Sequence, residues 1–274
     1  MNTLNGKVAL VTGASRGIGA SIARKLAAQN ASVVVNYQHN EDAAQKVVAD
    51  IRQDGGRAVA LRRDVADTQS HEQIVREVVR HFGAIDILVN NAGVFGSQSL
   101  DGSTIDEFDR LFATNVRGLF FLTQQTARVL RDGGRIVNIS SVAAAGRFPN
   151  MSIYAATKAA VHALTSVWAR ELGGRGITVN SVSPGATNTD ATHAAHTEET
   201  IQMLAGMSLF GRLGQPDDIG DAVAFLCSPE ARWITAREII ADGGLLYNRL
   251  GQRYALFSES RIQTTEFHIA FEVR

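Results

Sequence analysis

Residues 8–19 read Val8-Ala-Leu-Val-Thr-Gly-Ala-Ser-Arg-Gly-Ile-Gly19, and the rest of the chain can be organised around this stretch. Its first four residues are an apolar run of the buried-strand type, and a helical pattern of apolar residues follows it. Gly13 allows a tight turn, Gly17 lets the backbone approach a diphosphate, and Gly19 lets the helix pack on the strand. The stretch therefore predicts a strand, a phosphate-binding glycine turn and a helix whose amino terminus favours an anion. If the glycines are considered alone, the alternative is that they only mark an ordinary loop.

Strand-like apolar runs alternate with helical patterns along the rest of the chain, which predicts a parallel sheet. We expect an α/β fold with a doubly wound parallel β-sheet of about seven strands and helices on both faces. Residues 1–244 contain no Pro-, Gly- or Ser-rich linker, so we interpret them as one domain. Within it, residues 186–210 have weak periodicity and are predicted to form a mobile substrate lid. Residues 245–274 are interpreted as a C-terminal extension that adds an edge strand, covers a neighbour's active site or is disordered.

The amino-acid composition limits the kinds of molecule that this protein is expected to bind. The 274 residues include 27 Lys and Arg and 27 Asp and Glu, so the zero net charge gives no case for nucleic acid or an anionic membrane. The single cysteine, Cys227, cannot form an intrachain disulfide, and the sequence has no signal-peptide pattern or membrane-length apolar run. We expect a soluble cytoplasmic protein that acts on a small molecule. No metal is expected, because His193 and His196 lack a further ligand cluster.

Tyr154 and Lys158 are four residues apart on a predicted helix, so both side chains leave the same face. A nearby ammonium favours the phenolate, so Lys158 is expected to lower the pKa of Tyr154 and to make it an acid or base near neutral pH. Ser141 follows the apolar run 135–139, which places its hydroxyl at the carboxyl end of a strand. Ligands of open parallel sheets bind at that edge.

The predicted second strand, 32–36, ends at Asn36-Tyr37-Gln38. Dinucleotide folds often place an acid there to hold the adenosine ribose 2′-hydroxyl, and this chain has none. The absence of a carboxylate removes repulsion toward a 2′-phosphate, and Arg16 supplies positive charge from the glycine turn. NADP(H) is therefore favoured over NAD(H). Pairing of Arg16 with a surface carboxylate is the alternative.

Polar residues also follow the next two strands. Asp64 is predicted either to accept a hydrogen bond from an adenine amino group or to cap the following turn. Asn90 is assigned a structural role that ties neighbouring strand ends together. Asn91, Ala92 and Gly93 are predicted to lie near the cofactor, with a plain turn as the alternative.

Together these residues resemble the short-chain dehydrogenase/reductase family, which has a single-domain Rossmann fold. The resemblance covers about residues 5–244 and implies that Asn115 holds a water that passes protons to Lys158. It also implies that Lys158 binds the nicotinamide ribose and that Thr187 and Thr189 address the nicotinamide amide. The motifs that carry it are Thr12-Gly13-x-x-x-Gly17-x-Gly19, Asp64, Asn90-Asn91-Ala92-Gly93, Asn115, Ser141, Tyr154-x-x-x-Lys158 and Pro184-Gly185.

The predicted catalytic set is Asn115, Ser141, Tyr154 and Lys158. The residues predicted to contact the cofactor are Gly13, Ser15, Arg16, Gly17, Ile18, Gly19, Asn36, Tyr37, Asp64, Val65, Asn91, Ala92, Gly93, Tyr154, Lys158, Pro184, Gly185, Thr187 and Thr189.

Two predicted helices, 104–130 and 154–172, carry wide apolar surfaces. A helix that is apolar on most sides must be buried on most sides. The family resemblance implies that these helices pair in homodimers or homotetramers, and contact within the same chain is the alternative. A departure from the family pattern precedes the final strand, where Ala236-Arg237 replaces the usual glycine.

The sequence thus predicts an NADP(H)-dependent carbonyl reductase or alcohol dehydrogenase. Within that class the alternative is a 3-oxoacyl-[acyl-carrier-protein] reductase. An acidic carrier would need a basic landing patch, for which Arg131, Arg135, Arg147 and Arg175 are candidates, although a solvated face explains them as well. A dinucleotide-binding sensor or scaffold without turnover is the alternative from another class, and the complete catalytic set argues against it.

Overall fold

The computed structural model describes residues 3–146 and 148–247. In this part of the chain seven parallel strands form one sheet in the order β3-β2-β1-β4-β5-β6-β7. The strand order reverses between β1 and β4, which opens a crevice at the carboxyl ends of the strands. This arrangement confirms the predicted fold class. The strands are β1 Val8–Val11, β2 Ser32–Tyr37, β3 Arg57–Arg62, β4 Ile85–Asn90, β5 Leu130–Ile139, β6 Thr178–Pro184 and β7 Glu238–Ala241.

Helices cover both faces of the sheet because the buried strands alternate apolar side chains between the two faces. Val11 and Val33 point to the face covered by α1, α2 and α10, whereas Leu10 and Val34 point to the face covered by α3, α5 and α7. The helices are α1 Gly17–Ala28, α2 Glu41–Gln53, α3 His71–Phe82, α4 Ile105–Phe112, α5 Leu119–Ala127, α6 Ala143–Gly146, α7 Ser152–Leu172, α8 Asp190–Ala195, α9 Glu198–Met207 and α10 Pro216–Cys227.

The long helix predicted over 104–130 is wrong in detail. A π-helical turn, Ala113–Gly118, separates α4 from α5, and β5 already begins at Leu130. The turn ends at Gly118, where a Cβ would collide with the carbonyl of Val65. Single π-helical turns often occur at functional sites, and this one contains Asn115.

The predicted lid also contains more regular structure than its weak periodicity indicated. Helices α8 and α9 occupy most of it, and each begins at a threonine cap: Thr189 Oγ1 accepts a bond from the amide of Thr192 at 3.2 Å, and Thr197 Oγ1 accepts one from Thr200 at 3.3 Å. Threonine caps stabilise short helices that side-chain periodicity alone does not reveal. Mobility of this segment stays a prediction.

The turn before β7 keeps a glycine-like backbone without a glycine. Ala236 has a φ of 57°, in the left-handed region that glycine adopts at no steric cost, and its amide donates to Val179 O at 2.8 Å. The departure from the family pattern therefore leaves the turn intact and strains one residue.

The described chain ends in a short turn, Leu245–Tyr247. Leu245 is buried against Val142 and Met207. The remainder of the predicted extension, residues 248–274, lies outside the described residues, and its role stays a prediction. None of the helices in the described ranges combines the length and the hydropathy that a membrane span requires.

Candidate active site

The glycine turn between β1 and α1 has the predicted geometry. Gly13 and Gly17 have φ values of 60° and 54°, which favour glycine. A Cβ on Gly13 would lie 2.9 Å from the Cα of Ala92, and a Cβ on Gly19 would collide with the carbonyl of Gly13. The turn therefore packs closely against the loop after β4, and α1 begins directly after it. The first amides of α1, which have no partner within the helix, lie at the crevice.

Residues after β4 clamp this turn in place. The Nδ2 of Asn91 donates to the carbonyls of Thr12 and Gly13 at 2.8 and 3.0 Å, while Thr12 Oγ1 accepts bonds from the amides of Asn91 and Ala92. Asn91 thus fixes the shape of the predicted phosphate-binding turn through hydrogen bonds to its carbonyl groups. Asn90 has the predicted structural role, because its Nδ2 donates to Thr123 and to Asn138.

The end of β2 differs from the prediction. Asn36 and Tyr37 are buried, and the Nδ2 of Asn36 donates to the carbonyls of Leu61 and Arg63 at 3.2 and 3.0 Å. Tyr37 packs in the core, where burial raises the pKa of its phenol. The Asn36 side chain therefore ties β2 to the end of β3 and the Tyr37 side chain is packed in the core, while a cofactor contact at either position stays a prediction.

Asp64 behaves as a turn cap. Its Oδ1 accepts a bond from the amide of Ala66 at 2.8 Å, and its Oδ2 accepts one from Gln38 at 2.6 Å. The next carbonyl, that of Val65, accepts a bond from the buried His71 at 2.7 Å. The prediction that Asp64 caps the turn is confirmed. Contact of Asp64 with an adenine ring stays a prediction, as does contact of Val65 with the cofactor.

Two arginines lie at this end of the crevice. Arg16 is exposed and forms no ion pair with any described residue, in contrast to the surface pairing considered from the sequence. Arg62 ends β3 and donates to the carbonyl of Gln38 at 3.3 Å. The sequence reasoning missed Arg62, because its position next to Gln38 depends on the pairing of β2 with β3.

Ser141, Tyr154 and Lys158 meet at the carboxyl end of β5. The ammonium of Lys158 donates to the carbonyl of Ile139 at 2.9 Å and lies 5.8 Å from the centroid of the Tyr154 ring. Ser140 fastens the helix to the strand, since its hydroxyl donates to the carbonyl of Lys158 at 3.1 Å. Ser141 Oγ accepts a bond from the amide of Ala143, which fixes its hydroxyl beside the cleft.

Burial controls the protonation of this group. It raises the pKa of Tyr154, and the neighbouring Ser141 opposes that shift. It also lowers the pKa of Lys158 to about 8. Burial is the largest influence on the pKa of Tyr154 in this structure, and the expected lowering of that pKa by Lys158 stays a prediction. Near pH 7 the tyrosine is therefore a neutral proton donor and most of the lysine is charged.

Asn115 is a satisfied buried amide. Its Oδ1 accepts a bond from the amide of Val94 at 2.8 Å, and its Nδ2 donates to Val94 O and to Thr157 Oγ1. A Cβ on Gly93 would lie 3.3 Å from Asn115 Oδ1 and 3.5 Å from Lys158 Nζ, so both polar atoms face this glycine. The side chain thus holds the loop after β4 against α7. A water held at this residue stays a prediction.

The loop after β6 is fastened on both sides. Val142 donates to the carbonyl of Pro184 at 3.1 Å, and Gly185 donates to Ala241 at 3.0 Å. Thr187 Oγ1 donates to Gly185 O, while Thr189 caps α8 and approaches the glycine turn at Gly17. The two threonine hydroxyls therefore shape the loop, and their contact with a nicotinamide amide stays a prediction.

A cleft of about 470 Å³ joins these parts. Phe95 stands at its mouth, with ring centroids 5.1 Å from Tyr154 and 6.2 Å from His196 of the lid. Among the described lining residues, Lys158 is the only one that is lysine, arginine or a carboxylate. The sequence reasoning missed Phe95 and considered His196 only in connection with a metal site, because no spacing relates the two. In residues 3–146 and 148–247 no group of three potential metal ligands occurs.

The residues present fit a dinucleotide. The cleft is lined by several of the predicted contacts, namely Ile18, Asn91, Gly93, Pro184, Thr187 and Thr189, and it ends at the catalytic hydroxyls. The glycine turn lies at the same edge of the sheet, where a bound diphosphate meets backbone amides. The fold and the site together define a Rossmann-type α/β protein with the polar side chains of Ser141, Tyr154 and Lys158 beside the crevice of its sheet.

Comparisons with known proteins make this class more specific. Residues 13–246 match the family model described as enoyl-(acyl carrier protein) reductase. The chain is 43% identical over 255 residues to a hydroxynaphthalene reductase-like protein of Metarhizium brunneum (strain ARSEF 3297), covering 88% of this chain and 96% of the relative.

Solved structures agree with the fold. A short-chain dehydrogenase from Burkholderia cenocepacia J2315 in complex with NADP is 44% identical, with a TM-score of 0.84 and coverage of 89% of this chain and 99% of that one. The angucycline C-6 ketoreductase LanV with bound NADP is 41% identical, with a TM-score of 0.86 and coverage of 89% and 97%. The chain belongs to the short-chain dehydrogenase/reductase family and is an oxidoreductase of that family.

Proposed function

We propose that this chain is an NADP(H)-dependent reductase of an uncharged, largely apolar ketone, with Ser141, Tyr154, Lys158 and Asn115 as its catalytic set. The observation that carries the proposal is the meeting of Ser141, Tyr154 and Lys158 at the carboxyl end of β5, on the same sheet edge as the glycine turn. Oxidation of the matching secondary alcohol is the same reaction in reverse.

The chemistry follows from the positions of these groups. A bound nicotinamide supplies or accepts the hydride. The hydroxyls of Ser141 and Tyr154 hydrogen-bond the substrate carbonyl oxygen, and Tyr154 gives its proton to that oxygen as negative charge develops there. The raised pKa of Tyr154 keeps this proton in place until the oxygen becomes basic. The charged ammonium of Lys158 stabilises the tyrosinate that remains.

Preference for NADP(H) is supported by charge at the adenosine end of the crevice. The end of β2 has no carboxylate side chain, and Arg16 and Arg62 are exposed cations close to it. A 2′-phosphate pairs well with guanidinium groups. Bound NADP in the ketoreductase LanV and the Burkholderia cenocepacia protein supports the same preference.

The substrate class is supported by the cleft lining. Side chains of Phe95, Phe148, Met151, Met203 and Met207 line the same cleft as the hydroxyls of Ser141 and Tyr154, so the wall that faces a substrate is largely apolar. Methionine sulfur makes favourable contacts with aromatic rings. The names of the relatives, a hydroxynaphthalene reductase-like protein and an angucycline ketoreductase, point the same way. We therefore propose a fused-ring aromatic ketone as substrate.

A carrier-bound substrate finds less support. Arg131 pairs with Asp86, Arg175 pairs with Asp132, and Arg135 donates to carbonyls of Gly133 and Gly134. These three arginines lie at or beside the amino-terminal end of β5, the opposite end of the sheet from the cleft, so they form no landing patch at its mouth. The fourth candidate, Arg147, lies outside the described residues.

We also propose a homodimer or homotetramer. The faces of α4, α5 and α7 leave Phe108, Phe121 and Val167 exposed, at 45%, 40% and 51% of their areas. Exposed apolar patches of this kind commonly mark protein interfaces. Light scattering of the purified protein measures the assembly directly.

The test is NADPH oxidation across a panel of fused-ring, simple aryl and aliphatic ketones, with NADH in parallel. We expect turnover of fused-ring ketones with NADPH and, in Tyr154→Phe, a loss of roughly 1000-fold in kcat with NADPH affinity retained. Affinity for NADPH without any turnover would favour the sensor or scaffold alternative. A Tyr154→Phe variant as active as the unsubstituted chain would exclude Tyr154 as the acid.

A further inference from the structure

Three polar side chains from three elements meet beside the catalytic helix, and the proposed chemistry uses none of them. His162 lies on α7, Ser183 near the end of β6 and Glu238 at the start of β7. The Nε2 of His162 lies 2.9 Å from Glu238 Oε1 and 3.2 Å from Ser183 Oγ. Ser183 also donates to Glu238 Oε1, at 2.6 Å. We call these three residues the His162 cluster.

The hydrogen-bond chemistry fixes the arrangement of the His162 cluster. An ionised carboxylate only accepts hydrogen bonds, so Ser183 donates its proton to Glu238, and Ser183 Oγ in turn accepts a bond from His162, which carries a proton on Nε2. Bonds to a charged acceptor are stronger than neutral ones. Ser183 is fully buried, and the side chains of His162 and Glu238 are 24% and 31% exposed. The cluster is thus a partly buried junction of three elements.

Each member is next to a part of the active site. His162 follows Lys158 by one helical turn, so the two side chains leave the same face of α7. Ser183 directly precedes Pro184 and Gly185, which begin the predicted nicotinamide loop. The cluster therefore joins the helix that carries Tyr154 and Lys158 to the strand that leads into this loop.

The charges around His162 explain why a histidine suits this place. Burial lowers the pKa of His162, Glu238 on β7 opposes the shift, and Lys158 on the same helix adds to it. His162 is therefore neutral near pH 7 and can donate to Ser183 without placing a second cation beside Lys158.

We propose that the His162 cluster is a positioning site that holds residues 184–189 against α7 in the geometry that binds the cofactor. The choice of NADPH as ligand rests on the proposed function, whereas the hold on the loop does not. The backbone amides of Gly185 and Asn188 can show whether this loop is held in place. Gly185 donates to Ala241 O at 3.0 Å and Asn188 donates to Gly214 O at 2.7 Å, so loosening of the loop would expose both amides to exchange.

The experiment measures hydrogen exchange of these two amides in the cofactor-free protein and NADPH affinity by fluorescence. His162→Leu removes the donor to Ser183, whereas His162→Gln keeps an N–H for the Ser183 hydroxyl. We expect His162→Leu to speed exchange and to weaken NADPH binding by about tenfold each, and His162→Gln to stay within about twofold of the unsubstituted chain. Ser183→Ala tests the second donor, with an expected change of about threefold. His81→Gln, at an exposed histidine of α3, is the matched control.

Unchanged exchange in His162→Leu would overturn the proposal, and so would a His162→Gln variant that exchanges as fast as His162→Leu. Faster exchange with undiminished NADPH affinity would also overturn it, because the loop would then not need to be held for binding. Failure of the unsubstituted chain to bind NADPH would instead contradict the proposed function, and the exchange comparison would still decide whether the cluster holds the loop.

Discussion

The glycine-turn side of the cleft and the lid side are built in different ways. On the first side, backbone groups come so close together that Gly13 and Gly19 have no room for a Cβ. On the second side, Phe95, His196 and the helices α8 and α9 form the wall, and side chains set its shape. Backbone-built sites bind what many relatives share, whereas walls of side chains vary with the substrate. The comparison predicts large effects of small changes on the first side and changes of selectivity on the second.

Lys158, at the junction of the two sides, should give the largest effect. Lys158→Met removes the cation beside Tyr154, and we expect kcat to fall by about 1000-fold. The same change should stabilise the protein, because lowering the lysine pKa from 10.5 to about 8 costs about 3 kcal/mol at neutral pH. Part of this gain is lost because Ile139 O loses its partner, so we expect the free energy of unfolding to rise by about 2 kcal/mol.

Steady-state kinetics and urea unfolding measure the two effects of Lys158→Met, with Lys46→Met on the exposed face of α2 as control. A less stable Lys158→Met protein would contradict the assigned cost of burial. In the unsubstituted chain, kcat for reduction should fall as pH rises through about 8, where Lys158 loses its charge. Stability should increase with pH between about 8 and 10.5, because the unfolded chain holds more protons there.

Gly19→Ala tests the backbone-built side directly. Its Cβ would collide with the carbonyl of Gly13 and lie 2.5 Å from Asn91 Nδ2, so the turn must open. We expect NADPH affinity to fall by about 100-fold. Gly173→Ala meets no atom within 4 Å and should bind NADPH normally, as titration of NADPH fluorescence would reveal. Equal affinities for the two variants would mean that close packing at Gly19 is not needed for binding.

The same difference explains how much could be predicted from the sequence. Glycine turns and the Tyr154–Lys158 spacing are local patterns, so they predicted the fold and the proximity of these two side chains, whose catalytic role stays a proposal. The direction of Asn36 and Tyr37 could not be predicted, because a strand end has two faces and only the packing of β2 on β3 selects one. The meeting of Phe95 and His196 depends on the fold, since 100 residues separate them. The effect of burial on the pKa of Tyr154 could not be predicted, because a sequence does not show how deeply a side chain is buried.

Phe95→Ala tests the side-chain-built wall. Loss of this ring removes the contact with Tyr154 at 5.1 Å and opens the cleft mouth. We expect kcat/KM for a fused-ring ketone to fall by about tenfold, while a small aliphatic ketone is affected by less than about twofold. Phe225→Ala, at an exposed phenylalanine of α10, is the matched control and should leave selectivity unchanged. An equal loss for both ketones would assign Phe95 to support of Tyr154 and not to substrate selection.

The smallest effect should come from Ala236, an alanine that adopts a left-handed backbone like that of Gly13 in the turn before β7. Its φ of 57° costs alanine about 1 kcal/mol relative to glycine, and glycine gains back freedom in the unfolded chain. The strain of alanine in the folded state is larger than the effect of the extra freedom that glycine has in the unfolded chain. We therefore expect Ala236→Gly to raise the free energy of unfolding by about 0.5 kcal/mol with kcat and KM unchanged. Urea unfolding at constant m-value measures this, and Ala195→Gly, in the helical backbone of α8, should destabilise instead. A destabilised Ala236→Gly protein would mean that the packing of the Ala236 methyl group outweighs the strain, and that the turn before β7 is held by its side chain as the lid is.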